Sequence, residues 1–475
     1  MVKMMMNRLK AALGAVTVGL LAGTSLAHAQ EADADLIKQG EYVARLGDCV
    51  ACHTALNGQK FAGGLSIKTP IGTIYSTNIT PDPTYGIGTY TLQEFDEAVR
   101  HGVRKDGSTL YPAMPYPSFS RMTPEDIKAL YAYFMHGVAP VSQKNQEADI
   151  TWPLSMRWPL SIWRAMFAPA PKAFTPAPGT DPDIARGEYL VTGAGHCGAC
   201  HTPRGFAMQE KAFDAAGGPD FLAGGGVIDN WIAPSLRNDP VVGVGRWSED
   251  DLFTFLKSGR TDHSAVFGGM ADVVGWSTQY FTDSDLHAIA KYLKSMPPVP
   301  PSRGDYTYDA STAQALDSGS VTDNAGAKIY LEQCSACHRN DGGGVARMFP
   351  PLAGNPVVVT DNPTSVAHVV VAGGVLPPTN WAPSAVAMPA YKTILSDQQI
   401  ADVVNFIRSA WGNKAPANVT AADIQHLRLD NAPIPTEGWA NATAATATWG
   451  LFMPQPYGAG WTFAPQTHAG VDAAQ

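Results

Sequence analysis

The pentapeptide Cys-x-x-Cys-His occurs three times, as Cys49–His53, Cys197–His201 and Cys334–His338, and the three copies use all six cysteines of the chain. Two thiols at this spacing can add across the vinyl groups of one porphyrin, and the histidine that follows turns under the ring to ligate iron. A structural zinc site fits poorly, because it needs four ligands and a second pair close by. Here the motifs lie 148 residues (197 − 49) and 137 residues (334 − 197) apart. A thiol redox pair has no use for a fixed histidine. The pattern therefore predicts three covalently bound haem c groups on Cys49, Cys52, Cys197, Cys200, Cys334 and Cys337, with His53, His201 and His338 as axial ligands of the irons.

The first thirty residues carry Lys3, Arg8 and Lys10, an apolar run from Ala11 to Ala22, and Ala27-His28-Ala29. This is the layout of a secretory signal peptide cleaved after Ala29. Cleavage would leave 30 basic and 42 acidic residues (33 − 3 against 42), a formal charge of −12. Neutralising phosphates requires clustered Lys and Arg, so no nucleic-acid partner is expected. Beyond the signal no run of about 18 uncharged apolar residues occurs. Any membrane contact is then peripheral, on the periplasmic face of a bacterial cytoplasmic membrane.

A larger pattern surrounds each motif. Asp35 to Tyr42, Asp183 to Tyr189 and Asn324 to Tyr330 read as short amphipathic helices running into the haem motif, each with a glycine followed by a tyrosine (Gly40 and Tyr42, Gly187 and Tyr189, Gly326 and Tyr330). Each unit should close with a helix opened by a capping box: Thr123 with Asp126, Thr282 with Asp285, and Ser396 with Gln399. Behind these, Ile127, Leu130, Tyr131 and Phe134, then Leu286, Ile289 and Leu293, then Ile400, Val403, Val404 and Ile407 follow helical spacing and read as core. A middle helix lies between, opened in the first two units by Thr91 with Glu94 and Ser248 with Asp251.

Histidine on one side of the iron leaves the other side open, and methionine there raises the reduction potential into the range of electron carriers. Met114, Met270 and Met388 occupy equivalent places before the closing helices, 61, 69 and 50 residues after their histidines (114 − 53, 270 − 201, 388 − 338). For Met270 a bis-histidine alternative through His263 stays open. His101, His136, His196, His287 and His368 read as surface or satisfied core residues. The partner of a proximal histidine's other ring nitrogen is normally a carbonyl. Pro234 and Pro351 are the expected carbonyl providers in the second and third units, and the stretch Ile74 to Asn78 holds that place in the first.

The connection from about Pro140 to Pro182 carries Trp152, Met156, Trp158, Trp163, Met166 and Phe167 around two arginines. Such density suits a membrane interface or a partner subunit, or a segment folded back over the haem domains. Pro297 to Val321 reads as a polar, extended connection. From Asn441 to Gln475 only Asp472 is charged, which predicts an extended arm laid along a partner or the parent domains. The resulting fold is mainly α: a signal peptide over 1–29, three tandem cytochrome c-like haem domains over 30–139, 183–296 and 322–412, proline-rich linkers over 140–182 and 297–321, and an extended C-terminal arm over 413–475.

With these motifs, and with the segments Ile71 to Asn78, Trp152 to Leu160, Phe267 to Val273 and Met453 to Gly458, the chain resembles the triheme cytochrome c subunits of the membrane-bound quinohaemoprotein alcohol dehydrogenases of acetic acid bacteria. The resemblance implies electron transfer from a pyrroloquinoline-quinone (PQQ) catalytic subunit, which oxidises the alcohol, to ubiquinone in the membrane. Relatives of similar layout serve aldehyde, gluconate and sugar-alcohol dehydrogenases. No catalytic residue for alcohol oxidation is legible in this chain. Trp158, Trp163 and Phe167 are candidates for a quinone pocket. A free periplasmic electron shuttle would use the same haems with a charged surface in place of the Trp-rich linker, and a peroxidase or gas sensor would need an open sixth position on iron.

Overall fold

The computed structural model describes residues 33–297, 304–321 and 323–430. The signal segment and the arm expected from Asn441 onward lie outside the described residues. Helices over 33–46, Pro182–Thr192 and Ala325–Gln333 each run into a single turn bearing a cysteine motif, Cys49–Cys52, Gly198–His201 and Ser335–His338. Helices Pro124–Ala132, Asp283–Ser295 and Asp397–Ser409 follow later in the chain and pack across them. The crossings are so close that only glycine fits. A Cβ at Gly40, Gly187 or Gly326 would lie 1.9, 2.0 or 2.2 Å from the carbonyl oxygen of Ala129, Ala288 or Asp402. Backbone packed on backbone thus explains the recurring glycine.

The apolar stripes face inward. Ile127, Leu130, Phe134, Leu286, Ile289, Leu293, Ile400, Val403, Val404 and Ile407 are buried, and Tyr131 packs partly buried against the first core. Each such side chain contributes about 1.5–3 kcal/mol on full burial, so three or four per helix hold the crossings firmly. Middle helices span Leu92–His101, Glu249–Ser258 and Thr364–Ala372. Three two-stranded antiparallel ladders occur among the described residues: Ser66–Thr69 with Gly72–Tyr75, Val227–Ile228 with Trp231–Ile232, and Gly374–Val375 with Ala387–Met388. The last ladder carries Met388.

Reciprocal capping boxes form at Thr91 with Glu94, Ser248 with Asp251 and Ser396 with Gln399. The boxes expected at Thr123 and Thr282 are only half made. Each threonine hydroxyl accepts from the N–H of Asp126 or Asp285, but neither carboxylate returns to the cap. Tyrosines from the opposite unit take that role. The Tyr42 hydroxyl donates to Asp285 at 2.7 Å and accepts from the Thr282 N–H at 3.0 Å. The Tyr189 hydroxyl likewise donates to Asp126 and accepts from the Thr123 N–H at 3.4 Å. Each of the first two units therefore caps the closing helix of the other. Tyr330, four residues after its glycine instead of two, turns its hydroxyl to the Arg339 carbonyl within its own unit at 2.6 Å.

A single buried cluster accordingly spans the first and second units, while a separate one fills the third. The third joins the second through Arg260, which donates to the carbonyls of Ala382 and Ser384 at 3.2 and 2.7 Å, and through the Ile232 N–H on Ser365 Oγ at 2.8 Å. The connection over 297–321 is not simply extended. Ser311–Asp317 is helical, Leu316 is buried in the third core, and the Tyr306 hydroxyl donates to the Trp411 carbonyl at 3.0 Å. One apolar anchor in a polar stretch is enough to fold it back. The extension after 412 also begins as structure: Ala421–Asp430 is a helix that buries Ile424 and Leu427 in the same core.

The crossed caps make a ranked prediction. Tyr189→Phe leaves Asp126 without its hydroxyl partner, whereas after Tyr42→Phe the Asp285 carboxylate keeps Arg186, at 2.8 Å to each oxygen. Calorimetric unfolding of the haem-loaded chain is expected to show a loss of about 1–3 kcal/mol for each variant, larger for Tyr189→Phe, in the transition shared by the first two units and not in that of the third.

Candidate functional site

Each motif histidine is held in the same way. The Nδ1–H of His53 donates to the Thr77 carbonyl at 2.7 Å, that of His201 to Pro234 at 2.7 Å, and that of His338 to Pro350 at 2.9 Å. With the proton on Nδ1, Nε2 keeps its lone pair for a metal. Burial lowers the pKa of all three rings against the opposing pull of the carbonyl, so they stay neutral, the form that ligates iron. In the third unit the carbonyl belongs to Pro350 and not to Pro351 as the sequence suggests. The Pro351 carbonyl is engaged by Asn355 Nδ2 at 2.9 Å. In the first unit Thr77 serves without any proline, because only its carbonyl is used. The next residue is clamped from the 140–182 connection: the Asn78 N–H donates to Asn145 Oδ1 at 2.6 Å, and Asn78 Nδ2 reaches the carbonyls of Val141 and Gln143 at 2.8 and 3.1 Å.

The cysteines line apolar walls. Burial pushes the thiols of Cys49, Cys52, Cys197 and Cys334 up to about 12 and raises that of Cys200. A neutral sulfur suits these positions, and a thioether is neutral at every pH. Among the described residues no group of three or more His, Cys, Asp or Glu gathers as it would for a bare metal ion.

The methionines follow the repeat. His201, Met270, Cys200, His338, Met388 and Cys337 all line one largely apolar cavity of about 460 Å³, so the second and third motifs open into connected space. Met114 packs partly buried against the same core as Cys49. His263 does not line that cavity: its Nε2 lies 3.3 Å from Asp251, and its ring stacks on Trp247. His101 faces Glu97 on the surface at 3.7 Å, His287 stacks on Phe253, and half-buried His196 and buried His368 hold the carbonyls of Ala194 and Asn230 through Nδ1.

Some residues that bear on the site carry no signal in the sequence. Trp247 lines the cavity, and its buried indole N–H has no acceptor among the described residues. Arg237 Nε is buried in the same state. Such orphan donors suit the carboxylates of a bound porphyrin. Between the first and second motifs Asp48 is buried and its pKa is raised, by burial first and then by Asp272, itself pushed up to about 6 by burial. The neutral Nε2-free histidines, apolar cysteine walls, cavity-lining methionines and orphan donors fit haem c. The candidate quinone residues do not join this space. Trp163 donates its indole N–H to the Ala207 carbonyl at 2.7 Å, Phe167 meets Phe206 edge-on, and Trp158 faces outward.

Comparison with known proteins agrees with this geometry. The cytochrome c family matches at residues 37–137 and 324–411. The chain is 74% identical, over 99% of its length and 100% of the relative's, to the cytochrome c subunit of alcohol dehydrogenase (quinone) of Gluconacetobacter polyoxogenes. Identity to the subunit of the same name from Gluconobacter oxydans (strain 621H) is 63%, over 97% of this chain and 96% of that one. The gluconate 2-dehydrogenase cytochrome c subunit of Pantoea cypripedii is 56% identical over 88% of this chain and 94% of its own. With two relatives matched over nearly their whole length, and with cytochrome c motifs that the fold holds ready for haem, the chain belongs to the family of cytochrome c subunits of quinone-dependent alcohol dehydrogenases.

Proposed function

We propose that this chain carries three covalently bound haem c groups and passes electrons from the PQQ-containing catalytic subunit of an alcohol dehydrogenase to ubiquinone, at the periplasmic face of the membrane that it contacts peripherally. The observation that carries the reading is the threefold anchoring of a motif histidine through Nδ1 to a backbone carbonyl. The axial ligands in this reading are His53 with Met114, His201 with Met270, and His338 with Met388. The helix Gly269–Trp276 supports Met270, and the short ladder Gly374–Val375 with Ala387–Met388 supports Met388.

When bound, haem c supplies a one-electron Fe(III)/Fe(II) couple at each motif. The chain supplies the surroundings that suit such a couple. Its histidines present neutral Nε2, its methionines offer a thioether on the far side, and its apolar walls exclude water, so little solvent needs to reorganise when charge changes. With His and Met holding both axial positions of a bound haem, no position would remain for dioxygen or an alcohol, and in this reading alcohol oxidation falls to the partner. Trp247, on the cavity wall, and Arg237, next to the lining residue Leu236, would be the donors to the carboxylates of a haem in the second unit.

Alcohol is favoured over gluconate as the partner's substrate because identity to the alcohol dehydrogenase subunits is higher and spans more of both chains. Co-expression with the catalytic subunit tests the whole reading. Membranes holding both chains are expected to reduce a ubiquinone analogue with ethanol, and membranes holding the catalytic subunit alone are expected not to. Equal quinone reduction without this chain would overturn the reading. A second prediction concerns one ligand. Met388→His is expected to keep three haems per chain and to lower the reduction potential of one of them in a spectroelectrochemical titration, because a second imidazole stabilises Fe(III) more than a thioether does.

A further inference from the structure

The helix Trp158–Phe167 has its polarity inverted. Its outward face carries Trp158, Ile162 and Met166, at i, i+4 and i+8, and these are 63%, 50% and 65% exposed. Just before it, Trp152 and Leu154 are 76% and 55% exposed, and Phe206, which packs on Phe167 at the end of the helix, is 92% exposed. Scattered apolar side chains on a surface need no explanation, but a contiguous group of this size marks a site of contact.

The polar groups of the segment point the other way. Arg157 donates to the Thr109 carbonyl at 2.6 Å and lies over the Tyr111 ring, Arg164 donates to the His101 carbonyl at 3.1 Å, and Trp163 donates to Ala207. Ser161 Oγ turns back to the Trp158 carbonyl at 2.6 Å. A specific protein interface has a polar rim with directional hydrogen bonds. This face offers two exposed indoles and otherwise hydrocarbon and sulfur, which suits a fluid apolar phase bordered by headgroups.

Charge points to the same occupant. From Thr151 to Thr180 the chain has no Asp or Glu and carries Arg157, Arg164 and Lys172, in a protein whose overall formal charge is −9. Arg157 and Arg164 are anchored to the body, but Lys172 is exposed and the stretch holds no carboxylate, so this face, unlike the acidic remainder of the chain, is not repelled by an anionic lipid surface. Among the described residues no helix is long and apolar enough to cross a membrane. We infer that the outward face of helix Trp158–Phe167, with Trp152, Leu154 and Phe206, lies in the interfacial layer of an anionic bilayer and docks the protein there. The inference deepens the reading above and rests on it for its purpose, since ubiquinone is confined to that bilayer.

The test compares the wild-type haem-loaded complex with a Trp158→Ser, Ile162→Ser, Met166→Ser variant, whose changes all lie on the exposed face and leave Trp163 and Phe167 intact. Flotation with vesicles of phosphatidylethanolamine and phosphatidylglycerol is expected to show partition falling by at least about tenfold in the variant, with an unchanged haem spectrum and an intact complex. Brominated lipids are expected to quench wild-type tryptophan fluorescence more than that of the variant. Equal flotation of the two proteins would overturn the inference. So would release of the catalytic subunit by the variant with vesicle binding of the cytochrome chain intact, which would make the face a protein interface. Reduction of a short-chain, water-soluble ubiquinone separates the two readings: if neither protein reduces it while the variant leaves the vesicles, docking stands and quinone reduction falls.

Discussion

The bond from histidine Nδ1 to a backbone carbonyl fixes more of this molecule than any other contact. It sets the tautomer, aims the ring, and requires a loop carbonyl to be delivered to the same place in each unit. Three different local structures make that delivery: a stretch clamped by Asn145 from a distant segment, a loop through Pro234, and a Pro-Pro pair in which Asn355 occupies the second carbonyl. The crossed helices are the frame for this arrangement. Their glycines let two backbones meet, and that contact sets where each motif turn begins.

The first two units are joined in a way the third is not. Tyr42 and Tyr189 each enter the other unit's helix cap, bridging an N–H and a carboxylate. Burial raises the pKa of both phenols, that of Tyr42 to about 12, so they remain donors throughout the ordinary pH range. Burial acts to raise the pKa of Asp285, but the Arg186 guanidinium and the Tyr42 hydroxyl outweigh it and hold the carboxyl below its usual range. The exchange ties the first two units together over one shared core. The third is coupled differently, through the cavity that it shares with the second. The second unit therefore borders both of the others.

Much of this was legible because covalent and backbone chemistry leave strong marks. The cysteine spacing, the recurring glycine and the cap residues name the motifs, the crossings and the helix starts. What the sequence concealed are relations between units. Asp126 and Asp285 look like ordinary capping-box acids, and nothing local reveals that a tyrosine from another unit has displaced their return bond. The choice of Pro350 over Pro351 depends on where Asn355 points. Leu316 in a polar stretch, and Ile424 with Leu427 beyond the last haem unit, are too few to set a period, yet each finds the third core. Trp247 lies 46 residues beyond His201 (247 − 201), and only the fold brings it to the wall of the cavity that His201 lines.

In the proposed reading every iron is closed on both sides, so the chain conducts electrons and leaves alcohol oxidation to its partner. Exposure of the dithionite-reduced, haem-loaded chain to carbon monoxide tests this most directly. The expected result is a low-spin spectrum for all three haems that carbon monoxide leaves unchanged. A carbon monoxide adduct at any haem in the native protein would reveal an open or weakly held sixth position and contradict it.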